Sequence, residues 1–221
     1  MAPGFFGLLK DHSLVDASRG RALEMLRTTH EMFRIVVQAL REDHNPPVQD
    51  KLRLLDQQVN QGQQEVRQKV FEALSLTQGK DLLAGLRLLN IVIDIERIGD
   101  YAKNLAELDA LFPRSLDFGQ YTMGVEEVFD KTARMFTLTH DVVANGDAEL
   151  AHKGLATYQR ISLLCDSHIR QALEHDADHE TVPRDLVALV LLLRFLKRVA
   201  AHLKNVCSAE VNPFHRIGYR G

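Results

Sequence analysis

Three oxygen-bearing side chains stand four residues apart near the middle of the chain, at Glu96, Asp100 and Asn104. Residues at positions i and i+4 lie above one another on the same face of an α-helix. Carboxylate and amide oxygens are ligands for divalent cations and for iron. The spacing therefore indicates either a metal-binding face or an acidic face in water, and these residues alone leave both interpretations open.

A long helix must carry this line of oxygens. Toward its amino end the same line is apolar, with Leu89 and Ile93, and the opposite face is apolar throughout. Such a pattern predicts a helix from about Asp81 to about Leu111 whose inner face is packed. The expected inner residues are Ile91, Ile95, Ile98, Ala102 and Leu105.

Helical spacing of apolar residues recurs along the rest of the chain, whereas alternating strand patterns are scarce. We expect an all-α fold of six long antiparallel helices, arranged as two tandem three-helix bundles. The other five predicted helices span about 16–42, 48–76, 121–144, 148–175 and 183–211, with Asp147 as the cap of the fifth.

The two halves of the chain are similar to each other. An offset of 101 residues places Leu88 on Leu189 and Lys103 on Lys204. This internal repeat predicts two structural copies. The expected organisation is an apolar amino-terminal segment (1–15), a first three-helix repeat (16–112), a second three-helix repeat (117–211) and a carboxyl-terminal tail (212–221).

The carboxylates are not repeated in the second copy. The same offset places Lys197 on Glu96 and Ala201 on Asp100, so a face that is acidic in the first half is basic in the second. A bundle of this kind can thus be built without the two carboxylates, which favours a site in the first half only.

Composition and charge exclude several classes of protein. The formal net charge is −3, which gives no electrostatic basis for nucleic-acid binding. The longest apolar run, Leu186 to Leu193, is far below the roughly 20 residues that cross a bilayer, and the amino terminus does not resemble a signal peptide. The two cysteines, Cys165 and Cys207, are expected to be buried reduced thiols. We expect a cytoplasmic protein.

The stretch Asp94-Ile95-Glu96-Arg97-Ile98-Gly99-Asp100-Tyr101-Ala102-Lys103-Asn104-Leu105-Ala106-Glu107 resembles the signature helix of PhoU proteins, which regulate phosphate uptake. The resemblance implies two three-helix repeats and a Glu/Asp-x-x-x-Asp motif that binds iron, zinc or similar metals on the surface of the bundle. It also implies acidic residues spaced Asp-x-x-x-Asp on the preceding helix.

In this chain the preceding helix keeps Asp56 and has Asn60 at the second acidic position. The matching positions of the second repeat are Tyr158 and Ser162. The resemblance therefore implies a divalent or iron-type metal in the first repeat only, with Asp56, Glu96 and Asp100 as its ligands. The alternative is a solvated acidic face paired with Arg97 or Lys103.

Other chemical patterns are weak. His175 and His179 fall in an expected polar loop, and a single Glu149-x-x-His152 pair lacks the partners of a di-iron bundle. Nucleophile elbows, P-loops and dinucleotide fingerprints do not occur. We therefore predict that the chain has no catalytic residues and is not an enzyme.

By resemblance, the chain is expected to be an adaptor that couples a phosphate transporter to a sensor kinase and represses the phosphate-starvation response. Its expected partners are the transporter's ATPase subunit, the sensor histidine kinase or both, with membrane association only through them and with a homodimer possible. Two other hypotheses stay open: an accessory subunit of another phosphate or ion transporter, and a carboxylate-bridged metal-binding protein or store. The apolar stretch Phe5-Phe6-Gly7-Leu8-Leu9 is expected to fold back onto its own bundle.

Overall fold

A computed structural model describes residues 13–42, 48–76, 82–111, 118–174 and 183–219. The predictions made for the Phe5–Leu9 stretch, for Asp81 and for the histidines at 175 and 179 lie outside these ranges.

Six long α-helices account for most of the described chain, and the all-α expectation is confirmed. In chain order they are α1 (Ser13–Arg41), α2 (Gln49–Leu76), α3 (Leu82–Leu111), α4 (Thr122–Asn145), α5 (Ala148–Leu173) and α6 (Pro183–Val211). Short 3-10 helices lie at Gly119–Tyr121 and Phe214–Arg216.

The predicted start of the first helix was wrong by three residues, because α1 begins at Ser13 and not at Asp16. No proline or glycine interrupts residues 13–16, so the helix extends beyond its apolar pattern. The turn between α4 and α5 follows the expected chemistry. Gly146 takes a left-handed backbone (φ 68°) and the Asp147 carboxylate accepts a hydrogen bond from the Leu150 amide at 3.0 Å.

The predicted inner face of α3 is buried. Ile95, Ile98 and Ala102 are each 0% exposed, and Ile91 and Leu105 are equally enclosed. The helix packs against α1 and α2 of its own repeat and against α6 of the other. A helix surrounded in this way has little surface left for water, so its polar side chains either lie at an exposed edge or bind partners on the neighbouring helices.

The two repeats meet through two antiparallel helix pairs. In the first pair, Arg87 near the start of α3 donates to the Ala209 carbonyl near the end of α6 at 2.9 Å. In the second, Arg19 near the start of α1 donates to the Ala144 carbonyl at the end of α4 at 3.0 Å. Phe33 and Phe136 pack between the same two helices, with ring centroids 5.2 Å apart.

Both cysteines are free and fully buried, as predicted. Burial raises the pKa of Cys165 and of Cys207 to about 12, so neither thiol is a nucleophile at neutral pH. No helix in the described part of the chain is both long enough and apolar enough to span a membrane.

Candidate functional site

The three predicted site residues lie on two neighbouring helices of the first repeat. Asp56 belongs to α2, whereas Glu96 and Asp100 belong to α3, which packs against it. Asp56 and Asp100 are brought to a common partner, because the ammonium of Lys103 lies 2.9 Å from Asp56 Oδ1 and 3.0 Å from Asp100 Oδ1. The positively charged Lys103 side chain therefore links α3 to α2.

Each oxygen of the Asp56 carboxylate has a hydrogen-bonding partner. Its side chain is only 16% exposed, and its second oxygen accepts a hydrogen bond from Asn60 Nδ2 at 3.1 Å. An aspartate at position 60 would add a negative charge there, whereas the amide supplies a donor. The Asn60 side chain thus stabilises Asp56 and contributes no ligand charge of its own.

Glu96 lies close enough to Asp100 and Asp56 for their negative charges to act on its carboxyl group. Its side chain is 24% exposed. Burial raises the pKa of the Glu96 carboxyl, and the negative charges of Asp100 and Asp56 raise it further, against the opposing effects of Arg97 and Lys103. The nearest guanidinium nitrogen, Arg97 Nε, is 3.9 Å from Glu96 Oε2. Glu96 is therefore the least compensated carboxylate of the three.

Lys103 remains protonated in this setting. Burial alone would lower the pKa of Lys103, but hydrogen bonds to Asp56 and Asp100 outweigh burial and raise that pKa. A protonated ammonium donates three hydrogen bonds and accepts none. The Lys103 ammonium thus binds Asp56 and Asp100, which are two of the three carboxylates that the predicted metal ion would need.

This arrangement does not fit a metal ion as the side chains lie. The Lys103 ammonium occupies the space between Asp56 and Asp100, and a cation that binds both oxygens would have to displace it. Among the residues that the structure describes, no three histidine, cysteine or acidic side chains are placed to share one ion. Metal binding by Asp56, Glu96 and Asp100 stays a prediction.

The matching face of the second repeat has different chemistry. Lys197, the counterpart of Glu96, pairs with Asp166 of α5 at 2.5 Å. Lys204, the counterpart of Lys103, lies 5.4 Å from the centre of the Tyr158 ring and donates to the carbonyl of Gly218 in the tail. The lysine is thus present in both repeats, but it binds carboxylates in the first and the carboxyl-terminal tail in the second.

A polar contact between the repeats was not predicted from the sequence. Asp94 Oδ1 accepts hydrogen bonds from His202 Nδ1 at 2.7 Å and from Asn205 Nδ2 at 2.8 Å. Tyr101 stacks on the His202 ring with centroids 5.6 Å apart, and its hydroxyl accepts a hydrogen bond from Arg198 Nε at 3.1 Å. Asn205 thus helps to hold α6 against α3.

A second group that the sequence analysis missed lies between α1 and α4. Arg27 Nε donates to His140 Nε2 at 3.0 Å, and the His30 ring stacks on Phe136 with centroids 4.6 Å apart. The signal was present in the sequence, because Arg27, Arg34 and Arg41 are spaced by seven residues and so share one face of α1.

Comparison with known proteins gives the family. The PhoU domain matches twice, at residues 22–108 and 125–209, and the two matches fall on the two structural repeats. The chain belongs to the PhoU domain family. The resemblance inferred from the α3 motif is therefore confirmed.

Two curated relatives carry the name phosphate-specific transport system accessory protein PhoU homolog. The relative from Pseudomonas putida is 24% identical over 159 residues, which is 71% of this chain and 62% of that protein. The one from Deinococcus radiodurans is 23% identical over 190 residues, which is 84% of this chain and 87% of that protein. The match therefore spans less than two thirds of the first relative and most of the second.

Solved structures of PhoU proteins share the fold. The crystal structure of PhoU from Pseudomonas aeruginosa superposes with a TM-score of 0.78 at 20% identity, covering 90% of this chain and 96% of that one. The phosphate transport system regulatory protein PhoU from Streptococcus pneumoniae gives a TM-score of 0.75 at 16% identity, covering 89% and 93%. At these identities the likeness concerns the fold alone.

Proposed function

We propose that this PhoU-domain protein is a non-catalytic accessory protein of a phosphate transport system. The observation that carries the proposal is the double family match together with curated relatives named as accessory proteins of such a system. The finer proposal is that the chain couples the transporter's ATPase subunit to a sensor histidine kinase and represses the phosphate-starvation response. Its partner contacts, any homodimer and a cytoplasmic location belong to this finer proposal.

The chemistry of the described residues supports a role in binding. Asp56 and Asp100 are engaged by Lys103, and the two thiols have a pKa of about 12. An adaptor acts through its surface, and the exposed edge of α3 offers charged groups for this purpose. Arg97 on that edge is 58% exposed, and its Nε lies 3.9 Å from Glu96 Oε2.

Co-purification tests the function. The tagged chain would be mixed with detergent-solubilised membranes that contain the phosphate transporter, and separately with the sensor kinase, with and without phosphate. Recovery of the ATPase subunit or the kinase is expected. Repeated failure to recover either one under both conditions contradicts the proposal.

A pair of charge reversals locates the contact surface. Arg97→Glu changes the exposed edge of α3, and Arg53→Glu changes an exposed arginine on α2 as the matched control. If the α3 edge carries the contact, recovery falls with Arg97→Glu and stays at the wild-type level with Arg53→Glu. Equal recovery with both variants would place the contact elsewhere and leave the accessory role intact.

A further inference from the structure

Two cavities lie in the groove between α1 and α4. Each is lined by an arginine of α1, and the two arginines differ in whether carboxylates of the protein pair with them. The cavity at the end of α1 is about 380 Å³ and is lined by Arg41, whose guanidinium pairs with Glu126 and lies 3.6 Å from Asp130. The protein thus supplies carboxylates of its own to this arginine. A hydrogen-bonded guanidinium–carboxylate pair of this kind needs no external anion.

The neighbouring cavity is about 230 Å³ and is lined by Arg27, His30, Thr137 and His140, together with Leu26 and Phe136. Arg27 uses only its Nε, which donates to His140 Nε2. Within the described residues, its two terminal nitrogens bind no carboxylate. A guanidinium cannot accept a hydrogen bond, so His140 Nε2 is the acceptor of this bond, and His140 Nδ1 lies 3.5 Å from Asp141 Oδ1.

A second arginine, Arg34, lines the cavity of Arg41 and adds positive charge next to the cavity that Arg27 lines. Arg34 is exposed and forms no ion pair with any carboxylate in the part of the chain that the structure describes. The pKa of His30 is lowered by burial, and the positive charge of Arg34 and the neighbouring His140 lower it further. Arg34 is therefore close enough to act on His30, and Asp141, 3.5 Å from His140 Nδ1, is the acidic residue next to this cavity.

We propose that this cavity, formed by Arg27, His30, Thr137 and His140 with Arg34 beside it, binds a small oxyanion such as inorganic phosphate. The terminal nitrogens of Arg27 present the planar fork that pairs with two oxygens of one anion. The Thr137 hydroxyl and a ring nitrogen of His30 are available as further donors. The bound charge would lie between the two repeats, because Arg27 and His30 belong to α1 and Thr137 and His140 belong to α4.

This inference concerns a surface different from the first-repeat carboxylates and does not depend on the accessory role. The test uses the purified chain alone, so its failure would leave the co-purification result unaffected. Thermal unfolding would be followed during titration with sodium phosphate, with sodium chloride at the same ionic strength as the reference. The wild type is expected to show a saturable rise in Tm with phosphate beyond the chloride reference.

Two variants assign the effect to the cavity. Arg27→Gln removes the fork. Arg34→Gln removes a nearby charge from an exposed side chain that pairs with no carboxylate of the described residues, so the folding of this variant should be unaffected. For each variant, the rise in Tm with phosphate is measured from the Tm of the same variant without phosphate. Arg53→Gln on α2 is the matched control. Arg27→Gln should weaken phosphate binding by at least about tenfold, since a charge-assisted contact is lost, and Arg34→Gln should weaken it to a smaller degree.

The outcomes are decisive in both directions. A phosphate effect equal to that of chloride, or one retained in Arg27→Gln, overturns the proposal. Sedimentation with vesicles of phosphatidylglycerol, compared with phosphatidylcholine, separates a lipid headgroup from the free anion. Binding to phosphatidylglycerol vesicles without any effect of free phosphate would also overturn it, because the cavity is proposed as a site for the free ion.

Discussion

The Lys103 ammonium lies 2.9 Å from Asp56 Oδ1, and this contact joins α3 to α2 across the first-repeat face. The same ammonium binds Asp100 at 3.0 Å, so one side chain neutralises two of the three carboxylates that the family resemblance assigns to a metal. We predict that a metal ion would compete with this ammonium for the same oxygens, and the competition can be measured.

Replacing Lys103 with methionine should change stability and metal affinity in opposite directions. The variant leaves Asp56 and Asp100 without their cation, so the free energy of unfolding should fall by about 1 kcal/mol, since the lysine is partly in water. Chelator-treated protein should then bind Mn²⁺ or Zn²⁺ at least about tenfold more tightly than the wild type, measured by titration calorimetry.

Lys153→Met is the matched control for that experiment. Lys153 pairs with Glu149 on the surface of α5 at 2.7 Å, so its loss removes one exposed ion pair and should leave metal binding unchanged. Equal metal affinity in the wild type and in Lys103→Met would show that the ammonium does not compete.

Replacing Glu96 with glutamine should stabilise the protein at pH 7. The pKa of Glu96 in the folded protein is raised by burial and by Asp100, so the charged form costs folding free energy at any pH above that pKa. Removing a like charge at i,i+4 is worth about 0.2–0.5 kcal/mol. The gain should disappear as the pH falls through the folded pKa toward 4.5, because the wild-type carboxyl then becomes neutral.

The measurement is the Tm of Glu96→Gln between pH 4 and pH 8, beside Glu107→Gln on an exposed position of the same helix. A variant that is less stable than the wild type at pH 7 would mean that the Glu96 charge is bound by a favourable partner.

Replacing Asp94 with alanine should weaken the contact between the repeats. His202 and Asn205 would lose their shared acceptor, and His202 Nε2 is already buried without a hydrogen bond to any residue that the structure describes. An unsatisfied buried donor costs about 1–3 kcal/mol. Urea unfolding of Asp94→Ala, His202→Ala and the double variant gives the coupling energy. Additive effects of the two substitutions would exclude an energetic contribution from this hydrogen bond.

Two glycines in helices should respond to alanine in opposite ways. A Cβ at Gly154 in α5 would lie 2.7 Å from Cys207 Sγ and 3.0 Å from Leu138 Cδ2, so Gly154→Ala should destabilise the protein by about 1–3 kcal/mol. Gly20 in α1 has open space at the same position, and Gly20→Ala should stabilise the protein by up to about 1 kcal/mol. Thermal unfolding of both variants checks the pair; a stabilised Gly154→Ala would show that α5 and α6 are loosely packed there.

The buried thiols should not react in the folded protein. With a pKa of about 12 and no exposed surface, Cys165 and Cys207 are protonated and inaccessible at pH 8. Ellman's reagent should label neither thiol in buffer and both in concentrated urea. Rapid labelling of one thiol in buffer would indicate that the helix covering it opens easily.

Local pattern carried most of the fold prediction. The 3.6-residue periodicity of apolar side chains predicted the helices, and the burial of Ile95 and Ile98 follows from that pattern. Asp147 as a helix cap and the i,i+4 placement of Glu96 and Asp100 are equally local, because each depends on backbone geometry within a few residues. The first helix was predicted to start too late, because residues 13–16 contain no proline or glycine that would end the helix there.

Contacts between helices were decided only by the tertiary structure. Asp94 meets His202 across 108 residues, and Arg27 meets His140 across 113. Such pairs depend on how far one helix slides along another, which is set by the packing of many side chains at once. For the same reason the spacing placed Glu96 and Asp100 on one face of a helix and the resemblance added Asp56 from the preceding helix, but pairing with Lys103 stayed an open alternative. The side-chain types are a property of the sequence, whereas the register of α2 against α3 decides that an ammonium lies between the carboxylates.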